Sequence, residues 1–596
     1  TSDGLQVVYR VSTPNINENT SITKTYSVPI AGGQPAEVDD AVGLVRNRAI
    51  SPNGKLRITA REVKIQKVFG NDYYPDLAKS NVQIYESLGY RHWDEWEDGK
   101  YSHLFVGPAE AGAGTGTDIM EGEPYDCPQK PFGGADDYTW SPDSRYVVYV
   151  VKRKSGTEYV VSTNTDIYSW EVATGKTANL TAGRMGYDTH PLYSAQGTLA
   201  WLSMKREGYE ADKNDIMVRN GESVTNLTGA WDGTVNEFVW SEDGKRIFFT
   251  APADGTIQLF EVDNPGLTKK SPVVRQITRG VFDVTGIVGQ AVNDLVVSRT
   301  DMNHAAELYK VDLSTGAFVA LTHVNDEVYN KLALSKVEKK YFKTTDGKQL
   351  LVWVIYPPGF DKSKKYPTLL YCQGGPQSSL TQFYSFRWNF QLMTANGYIV
   401  VAPARRGMPG FGVEWNEQIS KDWGGQVMDD YLTAIDGVSK ESYVDKDRLG
   451  CVGASYGGYS VYYLAGIHNN RFKTFIAHDG VFDLKSMYGT TEEMWFVNWD
   501  LGGPYWDRNN AAAQKSYSKF DPSTLVDKWN TPILIVQGGK DYRVPIGQGL
   551  EAFQAAQLRG IKSKLLYFPD ENHWVLKAQD ALVWQREFFK WLKETL

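Results

Sequence analysis

Ser455 lies at the centre of the segment Gly453-Ala454-Ser455-Tyr456-Gly457, which matches the pattern G-x-S-x-G. An apolar segment, 449–452, precedes it, and a segment of helix length follows it. In a sharp strand-to-helix turn of this kind the serine hydroxyl is exposed for attack. The turn leaves no room for side chains two residues before or after the serine, and Gly453 and Gly457 meet that requirement. The pattern therefore predicts a nucleophile elbow with Ser455 as the nucleophile.

A serine hydroxyl becomes nucleophilic only when a base removes its proton, and the usual base is a histidine oriented by a carboxylate. On an α/β-hydrolase scaffold the chain order is serine, acid, histidine. His573 follows the last predicted strand, and Asp541 follows the predicted strand 533–537. The two acids closest before His573 are too near it in sequence to orient it from a separate loop. Order and placement therefore predict the triad Ser455, Asp541 and His573.

The tetrahedral intermediate of such chemistry needs hydrogen-bond donors for its oxyanion. One expected donor is the backbone N–H of Tyr456, the residue after the nucleophile. The second is expected from the loop Gln373-Gly374-Gly375-Pro376, which follows an early strand. Gln373 is the candidate in that loop, through its side-chain amide or through the loop backbone.

The second half of the chain, 337–596, has the pattern of a mostly parallel, doubly wound sheet, because strand-length apolar segments alternate with helix-length segments. This predicts an α/β-hydrolase domain. The predicted strands are 368–372, 398–403, 449–453, 474–478, 533–537 and 564–568, and the predicted helices are 427–438, 457–466, 547–558 and 580–595.

The first half, 1–336, has short strands separated by recurring turns. Ser51-Pro52-Asn53-Gly54 and Ser141-Pro142-Asp143-Ser144 exemplify the turns, and Leu-Thr or Ile-Thr pairs recur at intervals of about 44 to 50 residues. A period of 40 to 50 residues with several strands per unit is typical of a β-propeller, with an irregular β-sandwich as the alternative. The long gap between Ser51 and Ser141 predicts either two blades or one blade with an insertion. The chain is expected to begin inside the first blade, with an N-terminal piece missing.

Composition narrows the function classes. With 596 residues the chain is long enough for two domains. The net charge is −8, and no basic stretch of the kind found in nucleic-acid-binding proteins is visible. No segment is long and apolar enough for a membrane span. We expect no metal and no organic cofactor, since the predicted triad needs neither.

Taken together, the propeller-like half, G-x-S-Y-G-G, the acid loop G-x-x-D-x-R-V-P and the histidine loop P-x-E-x-H resemble the prolyl oligopeptidase family of serine peptidases. Within it the segment 201–212 is similar to the branch of dipeptidyl-peptidase V and acylaminoacyl peptidases. The resemblance implies the same triad, a backbone N–H from Tyr456 and a first specificity pocket lined by Tyr456. It also implies that Arg543 binds a substrate carbonyl and that the pocket walls are Val544, Phe482, Tyr488, Trp495 and Phe496. Gln373 departs from the family, where a tyrosine or histidine stands at that position.

The resemblance implies a serine exopeptidase that releases dipeptides and favours small or apolar residues at the cleaved position. Such an enzyme needs a carboxylate for the substrate ammonium. The expected anchors are Glu207, Glu210 and Asp212 in the propeller, whereas the pair Glu492-Glu493 lies in the hydrolase half. The alternatives are an acylaminoacyl peptidase, a prolyl endopeptidase, or an inactive binding subunit. Oligopeptides are the expected partners, a homodimer is left open, and export to the periplasm or medium is expected, with a cytoplasmic location as the alternative.

Overall fold

The computed structural model describes residues 1, 3–39, 44, 45, 47–110 and 115–596. In these residues six antiparallel sheets of three or four strands precede one eight-stranded sheet. This confirms the predicted fold class, a β-propeller followed by an α/β-hydrolase. The first strand of the large sheet is Lys336–Lys343, and the division at residues 336 and 337 stays a prediction.

Each of the six small sheets forms one blade, and the blades are numbered in chain order. The strands of blades 1 and 2 are Gln6–Asn15, Thr20–Pro29, Ala36–Glu37 and Leu56–Lys64, Lys100–Pro108, Thr117–Asp118. The strands of blades 3 and 4 are Tyr138–Trp140, Tyr146–Val151, Asp166–Glu171, Thr177–Asn179 and Asp188–Tyr193, Leu199–Ser203, Asp215–Asn220, Ser223–Asn226. The strands of blades 5 and 6 are Glu237–Trp240, Arg246–Ala253, Thr256–Asp263, Arg275–Gln276 and Asp283–Ala291, Asp294–Asp301, His304–Asp312, Phe318–Ala320. Blades 1 and 6 share a buried cluster that includes Val7 and Val296, so the last blade contacts the first.

The recurring serine-containing turns and Leu-Thr or Ile-Thr pairs have a structural role, which blade 3 illustrates. The Ser141 hydroxyl accepts a hydrogen bond from the N–H of Tyr146 and donates one to Asp143, which closes the turn between the first two strands of blade 3. At the other end of that blade, Thr181 accepts from the N–H of Ile167 and donates to Asp166. These side-chain bonds satisfy backbone groups where the strand ladder stops, so the repeat pattern marks the ends of blades.

Blade 2 carries a long insertion, residues 65–99, between its first two strands. The insertion contains the helix Gly70–Tyr73 and a hairpin formed by Arg91–His92 and Glu95–Trp96. Of the two alternatives for the gap between Ser51 and Ser141, the described residues show one blade with an insertion.

The eight-stranded sheet begins with two antiparallel pairings and continues with parallel neighbours. Its strands, in spatial order, are Lys336–Lys343, Gln349–Tyr356, Ile399–Pro403, Tyr366–Cys372, Val444–Ala454, Thr474–His478, Ile533–Gly538 and Ser563–Phe568. Side chains of Gln349–Tyr356 alternate between two hydrophobic cores, one on each face of the sheet. Both faces are therefore covered, as in a doubly wound sheet.

Helices cover the sheet and supply the loops around it. The helices of the hydrolase half are Phe390–Ala395, Val413–Glu417, Gln426–Val438, Tyr456–Ile467, Leu484–Thr490, Met494–Leu501, Ala511–Lys519, Gly547–Leu558 and Ala578–Thr595, with a 3₁₀ helix at Pro522–Lys528. The propeller half adds the short helices Gly156–Val161, Pro265–Thr268 and Asp326–Tyr329 and a 3₁₀ turn at Ala135–Asp137. Among the described residues none of these helices is long and apolar enough to cross a membrane.

Candidate active site

Ser455 lies between the strand Val444–Ala454 and the helix Tyr456–Ile467, with φ 59° and ψ −121°. A non-glycine residue with this backbone is strained, and such strain is typical of functional turns. The packing explains the neighbouring glycines: a Cβ on Gly453 would come within 2.6 Å of the Cys372 carbonyl oxygen, and one on Gly457 would lie even closer to it. The elbow can therefore form only with glycine at both positions.

The loop that begins at Gln373 lies directly against the nucleophile. A Cβ on Gly374 would be 3.4 Å from the Cβ of Ser455. The Gln373 amide oxygen accepts a hydrogen bond of 2.7 Å from the Tyr371 hydroxyl, which leaves the amide N–H₂ as the donor end. The loop predicted to hold the oxyanion is thus adjacent to Ser455.

Arg405 fixes the shape of this loop, and the sequence did not indicate it. Its guanidinium is fully buried and donates to the carbonyls of Gln373, at 2.9 Å, and Pro376, at 2.5 Å. It also packs 4.8 Å from the centre of the Tyr456 ring. The Tyr456 hydroxyl donates to the Trp423 carbonyl at 2.6 Å, so this side chain is anchored in the hydrolase core.

Asp541 and His573 lie on loops that follow the adjacent strands Ile533–Gly538 and Ser563–Phe568. Nδ1 of His573 lies 2.6 Å from Oδ2 of Asp541, and the N–H of Val544 donates to Oδ1 of the same carboxylate at 2.8 Å. Only 1% of Asp541 is exposed. This burial raises the pKa of Asp541, the His573 imidazole opposes the rise, and a second buried carboxylate, Asp479, adds to it. The pair is therefore buried and pre-oriented, and Asp541 engages only the Nδ1 side of the His573 ring.

The blade-2 insertion contacts the loops that carry Asp541 and His573. The N–H of Tyr542 donates to the Trp93 carbonyl at 3.0 Å, and the Asn572 amide donates to Asp94 at 2.8 Å. The Trp93 ring centre is 5.7 Å from that of His573. The sequence does not predict this contact. The long interval between the turns at Ser51 and Ser141 indicates only that an insertion is possible here.

A cluster of charged side chains forms where the propeller meets the hydrolase half. We call it the junction cluster, and it consists of His92, Glu210, Glu492, Glu493 and Arg543. The Arg543 guanidinium donates to Glu210 at 2.7 Å and forms an ion pair with Glu493. His92 Nε2 is 3.5 Å from Glu493 and 3.9 Å from Glu492. The cluster thus joins the propeller acid Glu210 to two acids of the hydrolase half.

Aromatic side chains enclose the junction cluster. Trp495 Nε1 donates to the second oxygen of Glu210 at 3.0 Å, and the Arg543 guanidinium lies 4.5 Å from the centre of the Phe496 ring. The structure therefore brings together four of the predicted binding residues: Arg543, Glu210, Trp495 and Phe496.

Glu492 is 7% exposed, and in the described part of the chain neither of its carboxylate oxygens makes a hydrogen bond of ordinary geometry. Burial raises its pKa to about 7, while His92 and Arg543 oppose the rise. The N–H of Trp93 also opposes the rise. A buried carboxylate that is incompletely paired is costly, so a cationic ligand next to Glu492 would lower the cost of burying its negative charge.

Five other predicted residues lie outside this cluster. Glu207 accepts hydrogen bonds from the Ser162 hydroxyl and the N–H of Thr163, in the segment after the helix Gly156–Val161. Asp212 pairs with Arg206 and accepts from neighbouring backbone N–H groups. Phe482 packs between Tyr462 and Trp529, and Tyr488 donates to Asn498. Val544 is 2% exposed and supports the acid loop.

An open cleft of about 740 Å³ lies between the blade-2 insertion and the His573 loop. Its lining includes Trp93, Phe132 and Trp574, and it reaches His92. His92 is thus the one residue of the junction cluster among those that line the cleft in the described part of the chain.

Comparison with known proteins identifies the family. The sequence model of the prolyl oligopeptidase family matches residues 384–596. A dipeptidyl-peptidase 5 of Porphyromonas gingivalis is 47% identical over 551 residues, which are 92% of this chain and 79% of that protein. The chain belongs to the prolyl oligopeptidase family of serine peptidases. A second dipeptidyl-peptidase 5, from Porphyromonas endodontalis, is 42% identical over 642 aligned positions, which span 100% of this chain and 92% of that protein. The family predicted from the sequence motifs is confirmed.

Solved structures share the fold at low sequence identity. Pyrococcus horikoshii acylaminoacyl peptidase is 18% identical, with a TM-score of 0.80 over 99% of this chain and 94% of its own. Porphyromonas gingivalis dipeptidyl peptidase 4 is 15% identical, with a TM-score of 0.63 over 98% of this chain and 82% of its own. Both likenesses concern the propeller and hydrolase architecture.

Proposed function

We propose that this chain is a serine exopeptidase that releases dipeptides from the amino termini of oligopeptides, with small or apolar residues favoured at the cleaved position. The junction cluster is the observation that carries the proposal. Three carboxylates, Glu210, Glu492 and Glu493, share one guanidinium, Arg543. The two relatives of highest identity described above are named dipeptidyl-peptidase 5, which supports the same activity.

The cluster has the charge that a free amino terminus requires. A substrate ammonium can donate charge-assisted hydrogen bonds to Glu492 and Glu493, and these are the stronger class of hydrogen bond. A second basic side chain near the junction cluster is Lys152. Its ammonium packs over the rings of Tyr159, at 4.1 Å, and Trp495, at 4.4 Å. Burial lowers the Lys152 pKa to about 7, so near neutral pH only part of the Lys152 population carries a positive charge. The cluster therefore favours an added cation.

The proposed reaction is acyl transfer through Ser455. His573 removes the hydroxyl proton while Asp541 holds its Nδ1 side, and Ser455 Oγ attacks the carbonyl carbon of the second residue. The backbone N–H of Tyr456 and the Gln373 loop hold the oxyanion. When the tetrahedral intermediate collapses, the C–N bond breaks and His573 gives its proton to the leaving amine. Water then attacks the acyl-enzyme by the same route and releases the dipeptide.

Two series of chromogenic dipeptides test this proposal, one with a free amine and one N-acetylated. We expect higher kcat/KM for the free-amine series, and we expect Glu493→Gln to reduce that preference by about tenfold or more, because one charge-assisted bond is worth roughly 1.5–3 kcal/mol. Glu222→Gln, at a fully exposed side chain of the propeller, is the matched control. A preference for the acetylated series would instead make the chain an acylaminoacyl peptidase and refute the dipeptidyl proposal. Cleavage inside longer blocked peptides after proline would indicate a prolyl endopeptidase.

Labelling by a fluorophosphonate probe tests whether the triad works. We expect labelling of the wild type and none of Ser455→Ala. An unlabelled wild type, beside a labelled control hydrolase, would mark an inactive binding subunit. The homodimer and the exported location stay predictions.

A further inference from the structure

Three side chains of the junction cluster are arranged as ligands for a metal ion. One atom from each of His92, Glu492 and Glu493 lies within 4.8 Å of the others. His92 belongs to the blade-2 insertion and the two glutamates to the loop between helices Leu484–Thr490 and Met494–Leu501. We call these three residues the His92 site.

The His92 site is buried and has unused ligand atoms. Glu492 and Glu493 are 7% and 5% exposed, and neither oxygen of Glu492 makes an ordinary hydrogen bond within the described chain. The His92 ring packs edge-on between Tyr159 and Trp495. Buried side chains with unused ligand atoms, close to one another, differ from a solvated acidic patch, whose carboxylates are hydrated.

The spacing and the donor types fit Zn²⁺. Ligand atoms at about 2.0–2.1 Å from a tetrahedral zinc lie roughly 3.3 Å apart, and His92 Nε2 is 3.5 Å and 3.9 Å from the two carboxylates. One nitrogen and two oxygens leave a fourth position open, as in zinc sites with three protein ligands. The positive charge of Arg543 is shared with Glu210 as well as Glu493, so the site keeps an excess of negative charge.

We propose that His92, Glu492 and Glu493 bind Zn²⁺ and that the bound ion inhibits the enzyme by excluding the amino group of the substrate. The inhibitory part rests on the proposed function, since it requires the same glutamates to bind the substrate ammonium. Metal binding itself does not involve Ser455, Asp541 or His573. Zinc must therefore bind equally well when the nucleophile is absent.

Titration of zinc against a chromogenic chelator, with purified full-length protein, tests the binding. We expect the wild type and Ser455→Ala to bind one zinc more than His92→Gln and Glu492→Gln do. His323→Gln is the matched control, because His323 is exposed and pairs only with Asp326 among the described residues. Equal zinc binding by the wild type and both site variants would overturn the proposal. Two variants are used because Glu492→Gln removes an ionisable group that burial disfavours and is expected to fold even where His92→Gln does not.

Steady-state kinetics with free-amine dipeptides test the inhibition. We expect zinc at about ten times its Kd to raise KM about tenfold with kcat unchanged, as for ligands that exclude each other, and a chelator to reverse the effect. Zinc that binds the wild type without raising KM would overturn the competition. If no dipeptide is released at all, the proposed function fails while the chelator titration still decides the metal site.

Discussion

The variant Glu492→Gln tests two effects of the Glu492 charge. That charge is expected to lower the stability of the folded chain and to strengthen binding of the substrate ammonium. The ordinary pKa of a glutamate is 4.5, and burial raises that of Glu492 to about 7. Below about pH 4.5 the carboxyl is protonated in both folded and unfolded chains, so it adds no difference. Above about pH 7 it is ionised in both, and the folded chain bears the whole cost of the buried charge. At about 1.4 kcal/mol per pH unit, this cost is about 3 kcal/mol.

Because glutamine has nearly the same shape and no charge to bury, the variant loses this cost. We expect Glu492→Gln to have the stability of the wild type at about pH 4.5 and to exceed it by up to about 3 kcal/mol at about pH 8. For free-amine dipeptides we expect its kcat/KM to fall by about 10- to 100-fold, the worth of one charge-assisted hydrogen bond. A variant that is more stable and less active is the expected outcome.

Denaturant unfolding at both pH values, followed by tryptophan fluorescence, measures the stability difference. Activity on the free-amine and N-acetylated dipeptides measures the binding. Glu222→Gln removes a glutamate charge at a fully exposed position and is expected to change neither quantity. A Glu492→Gln protein less stable than the wild type at about pH 8 would refute the reasoning, since it would show that the ionised carboxylate is well paired in the folded chain.

Three further predictions concern the chemistry. Asp541→Asn should lower kcat by about 10⁴-fold in steady-state assays, because an amide holds His573 in the wrong tautomer. An unchanged kcat would exclude Asp541 from the triad. Gln373→Leu removes the amide that Tyr371 orients and should lower kcat by about 10²- to 10³-fold; an unchanged kcat would assign the donor to the loop backbone. For free-amine substrates, kcat/KM should decline above about pH 8, as the substrate α-amino group loses its proton. The N-acetylated series should lack this decline, and a shared decline would locate the titrating group on the enzyme.

The hydrolase half was largely predictable because its main requirements leave short sequence signatures. Both glycines of the elbow are confined by the Cys372 carbonyl on the neighbouring strand, yet the need for them is visible in the five consecutive residues 453–457. The predicted strand 474–478 and helix 547–558 agree with Thr474–His478 and Gly547–Leu558. Chain order then placed Asp541 and His573, which the structure joins by a hydrogen bond.

The binding side was less predictable because its contacts join residues far apart in the chain. Glu210 meets Arg543 across 333 positions, and no periodic pattern records such a meeting. The sequence predicts ammonium anchors in the propeller, at Glu207, Glu210 and Asp212, whereas Glu492-Glu493 lies in the other half. The structure places that pair at the junction, beside the one predicted propeller acid that reaches Arg543.

The predicted triad lies on the hydrolase half alone, whereas the junction cluster is assembled from both halves of the chain. Ser455, Asp541 and His573 all belong to the hydrolase half, whereas His92 and Glu210 come from the propeller side and meet Arg543 and Glu493 only when the halves are docked. Any motion that parts the two halves breaks the bonds of Trp93 and Asp94 to the acid and histidine loops. In an undocked molecule Ser455, Asp541 and His573 would stay together on the hydrolase half, but the contacts of His92 with Glu493 and of Glu210 with Arg543 would be lost. Under the proposed function, docking of the two halves is therefore the step that fixes the distance between the bound amino terminus of the substrate and Ser455.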